Sequence, residues 1–270
     1  MSKVAPYING HQESVLRAHS WRTVQNSAGY LLSSLKPDMH ILDLGCGPGT
    51  ITIDFATLVP QGSVIGLENV EGVLEQARAN ASAQGVQNVK FVLGDALKLD
   101  FPDDTFDVVH AHQVLQHVGD PVGMLREMRR VTKPGGIVAT RESDFATVTF
   151  FPESETMEKH RDLHLRTARA LGGEPLAGRR LVSWAMKAGF ERSAITASAS
   201  AWCYSTPEER ALWSTLWADR VLKSSFATQV LELGFGTQED LEEIAQAVRD
   251  WGAHEDGWIG VMHGEVLCRV

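Results

Sequence analysis

Two rhythms of apolar and polar positions divide this chain. Between residues 36 and 144, apolar runs of four to six residues alternate with longer stretches whose apolar positions recur every three or four residues. The short runs, Ile41–Leu44, Ser63–Glu68, Val89–Leu93, Phe106–Ala111 and Ile137–Thr140, read as buried strands. Between them, 51–58, 70–84 (Val73, Leu74 and Ala77 on one face) and 121–131 (Met124, Leu125 and Met128 inward) read as helices. Gly85 suits a helix C-cap, and Lys133-Pro134-Gly135-Gly136 suits a tight turn. Strand, helix, strand at this spacing predicts parallel βαβ units with right-handed crossovers. Upstream, 1–10 reads as a loosely docked arm and 11–35 as helical, with Val15, Leu16, Trp21, Val24, Ala28, Leu31 and Leu35 at mixed spacing. Downstream of 144 the rhythm turns mostly helical. One helix is expected over 152–176, another over 181–188, strand over 190–204, and a last strand over 258–270. Thr206-Pro207-Glu208-Glu209 is a helix start, with a threonine cap and proline at the first position. Helix then runs to about 251, broken near Gly234-Phe235-Gly236.

Composition narrows the picture modestly. The 270 residues carry a net charge of −9 and include no basic run, which argues against duplex nucleic acid as a partner. No apolar stretch is long enough for a membrane span, and the first residues have no signal-like core, so a cytoplasmic protein without membrane insertion is expected. Cys46, Cys203 and Cys268 are too scattered for a disulfide framework or a metal knuckle.

The candidate chemistry starts at Asp43-Leu44-Gly45-Cys46-Gly47-Pro48-Gly49-Thr50, where a strand breaks into a glycine turn before a helix. Such a turn cradles a cofactor because glycine lets backbone approach the ligand and adopt positive φ. A nucleotide-triphosphate loop is excluded, since no lysine lies between Gly45 and Thr52. The dinucleotide fingerprint is broken, with Thr50 in place of its third glycine. Asp43 would repel a pyrophosphate and suits a ligand carrying a sulfonium or ammonium group. Glu68, ending the second strand, is placed to accept both hydroxyls of a ribose, and Asp95, after the third, to accept an adenine amine. Each is also an ordinary solvated turn or cap acid when taken alone.

Taken as a set, Ile41 to Gly49, Glu68, Gly94-Asp95-Ala96, Phe106-Asp107-Val108-Val109 with Val114 to Val118, and Leu125 to Gly136 resemble the motifs of class I S-adenosylmethionine-dependent methyltransferases, nearest to the ubiquinone/menaquinone-biosynthesis-like group. The resemblance spans about residues 36 to 142. It implies an α/β, Rossmann-like fold: a seven-stranded, mostly parallel sheet with helices on both faces and an antiparallel last strand. It implies S-adenosyl-L-methionine as cofactor, with Gly45, Cys46 and Gly47 offering backbone, Glu68 and Asn69 meeting the ribose, Asp95 and Ala96 the adenine, and His112 and Gln113 facing the methionine part. An N-terminal lid (1–35) would carry Tyr7, Trp21, Arg22 and Thr23; the core would be 36–144, with helical substrate-cap insertions at 145–180 and 205–251 of a single domain. The function implied is methyl transfer to a small organic acceptor at oxygen, carbon, nitrogen or sulfur; a cofactor-binding regulatory partner without turnover is the alternative.

Methyl transfer asks mainly for alignment and exclusion of water, with a base only if the nucleophile arrives protonated. His117, just past the fourth strand, is the candidate for lining the acceptor site or acting as that base. His110 reads as packed. Arg141, at the sheet's carboxyl edge, is placed to hold an anionic substrate group or to pair with Glu142 or Asp144. His160 and His164 stand four residues apart beside Arg161 and Arg166, which reads as a solvated polar face and not a metal site. Trp202, Trp213 and Trp217 with Phe226 are either core or an apolar cover over a flat substrate.

Overall fold

The computed structural model describes residues 21–270. Five parallel strands form the spine: β1 His40–Leu44, β2 Ser63–Glu68, β3 Val89–Leu93, β4 Phe106–His112 and β5 Thr132–Ser143. Their spatial order is β3-β2-β1-β4-β5. The chain therefore reverses its direction of growth between β1 and β4, and this opens the crevice where doubly wound sheets hold ligands. Beyond β5 the sheet turns antiparallel. Here β8 (Trp258–Arg269) pairs with β5 on one edge and with β7 (Ile195–Tyr204) on the other. A three-residue strand, β6 (Thr149–Phe151), continues the β5 edge against the start of β8 and was not foreseen from the sequence. The predicted mostly parallel sheet with an antiparallel last strand is the observed one.

Helices α1 Val24–Ser27, α2 Thr50–Leu58 and α3 Glu71–Ala83 precede β1, β2 and β3, and α4 Pro121–Val131 lies between β4 and β5. One face of the sheet is closed by Leu115, Met124, Leu125, Met128 and Val131 against Leu42, Leu44, Val109 and Val138. The other is closed by Val24, Leu31, Phe55 and Ala56 against Ile41, Val108 and Ala139. A separate helical unit, α5 Glu155–Ala170, α7 Pro207–Lys223, α8 Ser225–Glu232 and α9 Gln238–Ala253, has its own core of Leu163, Val221, Phe226, Val230, Leu241, Ile244 and Val248. It takes in most of the residues expected as the cap, while α6 Leu181–Lys187 packs back on the sheet beside α4.

Boundaries moved where local hydrogen bonding overrode periodicity. The stretch from residue 21 to 35 is not one helix: Thr23 and Asn26 form a capping box that starts α1, which ends at Ala28 and gives way to a 3-10 turn over Gly29–Ser34. The 152–176 helix shrinks to Glu155–Ala170, started by the Ser154 cap and followed by Gly172 at φ 85°. The turn expected at 133–136 is absorbed into β5 as an irregularity, the register shifting between Phe106 and Val108. The strand expected from 190 begins at Ile195, after a 3-10 turn over Arg192–Ala194. Thr206 caps α7 as expected, its side chain and that of Glu209 forming a capping box worth about 1 kcal/mol.

Candidate active site

The glycine loop is a tight wrap held from both sides. Gly45, Gly47 and Gly49 sit at φ 64°, 54° and 81°, a region disfavoured for other residues. A Cβ on Gly45 would come within 2.5 Å of Val114 Cγ2, so backbone alone fits there. The Leu67 carbonyl accepts the Gly45 and Cys46 N–H groups at 2.8 and 3.1 Å, tying the loop to the end of β2. Cys46 turns its thiol inward: a Cβ on Gly66 would meet its Sγ at 3.0 Å, and burial pushes the thiol pKa well up, so it is no nucleophile.

Glu68 accepts the Gly47 N–H at 3.2 Å with one oxygen and the Asn69 N–H at 2.8 Å with the other. Each oxygen retains a second lone pair, which leaves the carboxylate able to take two hydroxyls. Asp95 is exposed; one oxygen accepts the Leu97 N–H at 2.8 Å, the arrangement of an Asx turn, and Ala96 packs beside it on the core. Gly45, Cys46, Gly47, Glu68, Asn69, Asp95 and Ala96 thus gather at the carboxyl ends of β1, β2 and β3. Bare backbone, a two-oxygen acceptor and a second carboxylate beside an apolar wall fit an adenosine with a free ribose diol, and S-adenosyl-L-methionine carries that group.

Two of the expected cofactor contacts are corrected. Asp43 is buried behind the loop, where it accepts from Thr52 Oγ1 at 2.6 Å and meets His110 Nδ1 at 2.7 Å. It braces strand to helix, and its charge acts on a ligand only from a distance. Thr23 is exposed and its hydroxyl caps α1. Tyr7 lies outside the described residues. Of the other lid candidates, Trp21 wedges into the aromatic cluster, 5.4 Å from Trp202 and 5.6 Å from Trp213 between ring centroids, and Arg22 Nη2 donates to Gln113 Oε1 at 2.7 Å.

Gln113 is the junction of the site. It follows β4 at φ 55°, a left-handed conformation for a residue other than glycine, and its N–H donates to the Arg141 carbonyl at 2.9 Å. Its Nε2 donates to His263 Nε2 at 2.9 Å. His112 is buried below, edge-on to Trp202, and burial drives its pKa well down. The His112 ring is thus packed away and uncharged, and of the two only Gln113 lines the cavity.

From Gln113 a cavity of about 150 Å³ runs under the cap, a size that takes up one aromatic ring. Its floor is Gln113, Gln116, His117, Ser143 and His263; its walls are aromatic (Phe145, Trp202, Tyr204, Trp213, Trp217); and α5 and α7 add His160, Arg161, His164 and Arg220. His117 therefore lines it. Its ring is held in place: Ser143 Oγ donates to Gln116 Oε1 at 2.6 Å, and Gln116 Nε2 donates to His117 Nε2 at 3.0 Å. Burial, then the charge of Arg22, pulls the His117 pKa to about 3, so the ring is neutral and a weak base. Beneath it Glu142, with no exposed surface, accepts the N–H groups of Val114 and Leu115 at 2.9 Å each and of Gln116 at 3.2 Å. Burial raises the Glu142 pKa to about 7 against the pull of those three bonds.

Three expectations about substrate residues change. Arg141 is not on the cavity wall. It is 1% exposed, paired to Glu265 at 3.2 Å and 4.8 Å under the Trp202 ring, because β5 and β8 face each other there and Glu265 lies opposite it. Glu142 and Asp144 have other partners; Asp144 pairs with Arg179. His160 and His164 are no solvated face. They point into the cavity, with His164 stacked on Phe145 at 3.8 Å and burial pulling its pKa well down and that of His160 to about 4. No cluster able to hold a metal occurs among the described residues. Trp202, Trp213 and Trp217 pack with Tyr204 and Trp251 in a buried aromatic cluster and turn one side to the cavity, while Phe226 stands behind His160 and His164 in the core of the helical unit. Sequence reasoning missed His263, Gln116 and Arg220; His263 sits mid-strand with no motif around it, and only folding brings it to Gln113.

The comparisons agree with this geometry. A family model described as a methyltransferase domain matches residues 35–186. An uncharacterized methyltransferase of Schizosaccharomyces pombe is 36% identical over 273 residues, covering 97% of this chain and 96% of its own. A demethylmenaquinone methyltransferase of Geobacillus stearothermophilus is 41% identical over 111 residues, covering 41% of this chain and 47% of its own. Among solved structures, the YcgJ protein of Bacillus subtilis superposes with a TM-score of 0.56 at 18% identity, covering 91% of this chain and 99% of its own, which speaks to the fold.

Proposed function

The chain belongs to the class I S-adenosyl-L-methionine-dependent methyltransferases, and we propose that it methylates a small, flat organic acceptor seated in the cavity between Gln113 and the helical cap. The observation that carries this reading is where the cavity begins: at Gln113, the residue after β4, whose neighbour Val114 packs on Gly45 of the glycine loop, and from there it is completed by aromatic side chains of β7 and α7. The similarity to demethylmenaquinone methyltransferases covers 41% of this chain and does not by itself carry their acceptor across.

Bound, the cofactor supplies an electrophilic methyl carbon on a sulfonium. The chain's own residues then do three things. Glu68 and the glycine loop fix the donor; Asp95 and Ala96 flank its base. The Trp21, Trp202, Tyr204 and Trp213 cluster excludes water and gives a planar acceptor a face to lie on. Gln113 and His117, each locked by a neighbour, orient the acceptor's polar group for in-line displacement. With a pKa near 3, His117 orients and does not deprotonate, so the nucleophile is one that reaches the site ionised or needs no deprotonation.

Narrowing the cavity tests the assignment. Leu171 lines it on the cap side. Leu171→Trp is expected to raise the acceptor KM at least about tenfold while leaving S-adenosyl-L-methionine affinity within about twofold. An unchanged acceptor KM would remove the cavity from the reaction.

A further inference from the structure

Resting on the reading above that the cavity is the acceptor site, we propose that His263 sets the hydrogen-bond polarity of its floor. His263 holds the Gln113 amide so that an N–H is offered to the ligand, and the acceptor is a planar molecule with a carbonyl or ionised hydroxyl oxygen at that end.

The orientation of the amide is the first reason. A guanidinium donates and never accepts, so the atom that Arg22 Nη2 meets at 2.7 Å must be the oxygen of Gln113. The NH₂ group is then turned to His263 Nε2 at 2.9 Å. One of its two N–H bonds is used there; the other has no partner among the described residues, and Gln113 lines the cavity. The left-handed backbone at φ 55° and the bond from its N–H to the Arg141 carbonyl fix the stem that carries this amide.

The state of His263 is the second reason. It is fully buried on β8, opposite Ser143 of β5, with its ring 4.3 Å from that of Trp202. Burial, then the charges of Arg141 and Arg22, pulls its pKa to about 2, so the ring is neutral. Since Nε2 accepts from Gln113, the ring's own hydrogen sits on Nδ1. A protonated ring would set donor against donor. The neutral imidazole is therefore what keeps the Gln113 N–H, and not its oxygen, for a ligand. The rest of the floor is the third reason. Gln116 repeats the arrangement, its oxygen taken by Ser143 and its Nε2 donating to His117, and no aspartate or glutamate lines the cavity. An ammonium group at this end would meet N–H against N–H, and an apolar edge would leave the amide hydrogen unpaired; an oxygen lone pair satisfies it. The rings of Phe145, Trp202 and Tyr204 along the wall suit a planar body.

The test uses one shape with and without the oxygen: a hydroxyindanone, and the hydroxyindane that has a methylene in place of the carbonyl. Both are titrated by calorimetry into the full-length protein with S-adenosylhomocysteine present. The ketone is expected to bind at least about tenfold more tightly. His263→Phe keeps a ring beside Trp202 but offers Gln113 no lone pair, and should bring the two probes to within about threefold of each other. His263→Gln, whose amide oxygen can accept in place of Nε2, should recover much of the preference. Gln113→Asn tolerates the left-handed backbone but is a methylene too short to reach His263, so it should lose the preference as His263→Phe does. It answers the question if thermal melting shows His263→Phe unfolded. A purely structural His263 would lower both affinities alike and leave their ratio unmoved. Equal binding of the two probes to the unaltered protein, or a preference that survives both His263→Phe and Gln113→Asn, overturns the proposal. Leu171→Trp separates it from the reading it rests on, since ketone affinity should fall at least about tenfold there. Equal binding of both probes, weakened by Leu171→Trp, leaves the acceptor site in place and removes only the polarity of its floor. Binding of neither probe, or binding that Leu171→Trp does not change, removes the acceptor-site reading and this proposal with it.

Discussion

Removing the charge of Glu142 should change how stability depends on pH. Its carboxyl is fully buried and its pKa lies at about 7 in the folded chain, against an ordinary 4.5. A raised carboxyl pKa means that the folded state holds its proton more tightly than the unfolded chain does. Stability from this group is therefore fully present below pH 4.5 and is lost as pH rises through 7. At about 1.4 kcal/mol per pH unit, the interval from 4.5 to about 7 amounts to roughly 3 kcal/mol. Glu142→Gln cannot titrate. Its carbonyl can still accept from Val114 and Leu115, but its NH₂ faces the Gln116 N–H, donor to donor, a loss of about 1 to 3 kcal/mol. Urea denaturation of both proteins at pH 5, 6, 7 and 8 measures the balance. The variant should be clearly the less stable at pH 5, and the gap should narrow by about 2 to 3 kcal/mol by pH 8. A gap that does not change with pH would refute a titrating, buried Glu142 and with it this account of what holds the His117 loop.

Four further outcomes follow from the same geometry. Gly45→Ala puts a methyl 2.5 Å from Val114 Cγ2 at φ 64°, so it should cost about 1 to 3 kcal/mol of stability by thermal or chemical unfolding and weaken cofactor binding in calorimetry. Glu68→Ala removes the brace on Gly47 and the ribose acceptor, and should weaken S-adenosyl-L-methionine binding by about 1 to 3 kcal/mol; unchanged affinity would remove the ribose assignment. With the His117 pKa at about 3, the turnover profile between pH 5.5 and 8 should show no limb that disappears in His117→Ala; a limb near 6.5 lost in that variant would restore His117 as a base. Trp202→Phe deletes the indole N–H bond to the Asn26 carbonyl at 2.8 Å and should raise the acceptor KM and speed proteolysis around residue 26.

The fold was legible because its signals are local. Five short apolar runs, a glycine loop and the Thr206-Pro207 cap each announce themselves within about ten residues, and the structure keeps them nearly in place. The donor side of the site was legible for the same reason: Gly45, Glu68 and Asp95 stand at strand ends, where topology alone collects them. The acceptor side is different. Arg141 was read against its neighbours Glu142 and Asp144, but its partner Glu265 comes from an antiparallel strand over a hundred residues later. His160 and His164 were read as solvated because Arg161 and Arg166 flank them, yet α5 turns that stripe toward β4 and α7. Asp43 shows the reverse failure. Its position before the glycines was informative, but its contacts with Thr52 and His110 required knowing that His110 lies beside it in register. No helix among the described residues is long and apolar enough to cross a membrane.

The central claim is that this cavity delivers a small acceptor to a methyl donor held by the glycine loop. It is tested most directly by incubating the protein with S-adenosyl-L-methionine carrying a ¹³C-labelled methyl group and a panel of small aromatic acceptors, then following the label. The account predicts equimolar S-adenosylhomocysteine and ¹³C-methylated acceptor, with Leu171→Trp slowing both at subsaturating acceptor. Cofactor that binds yet leaves no label on any acceptor of the panel, with the same background release of S-adenosylhomocysteine in both proteins, would contradict it.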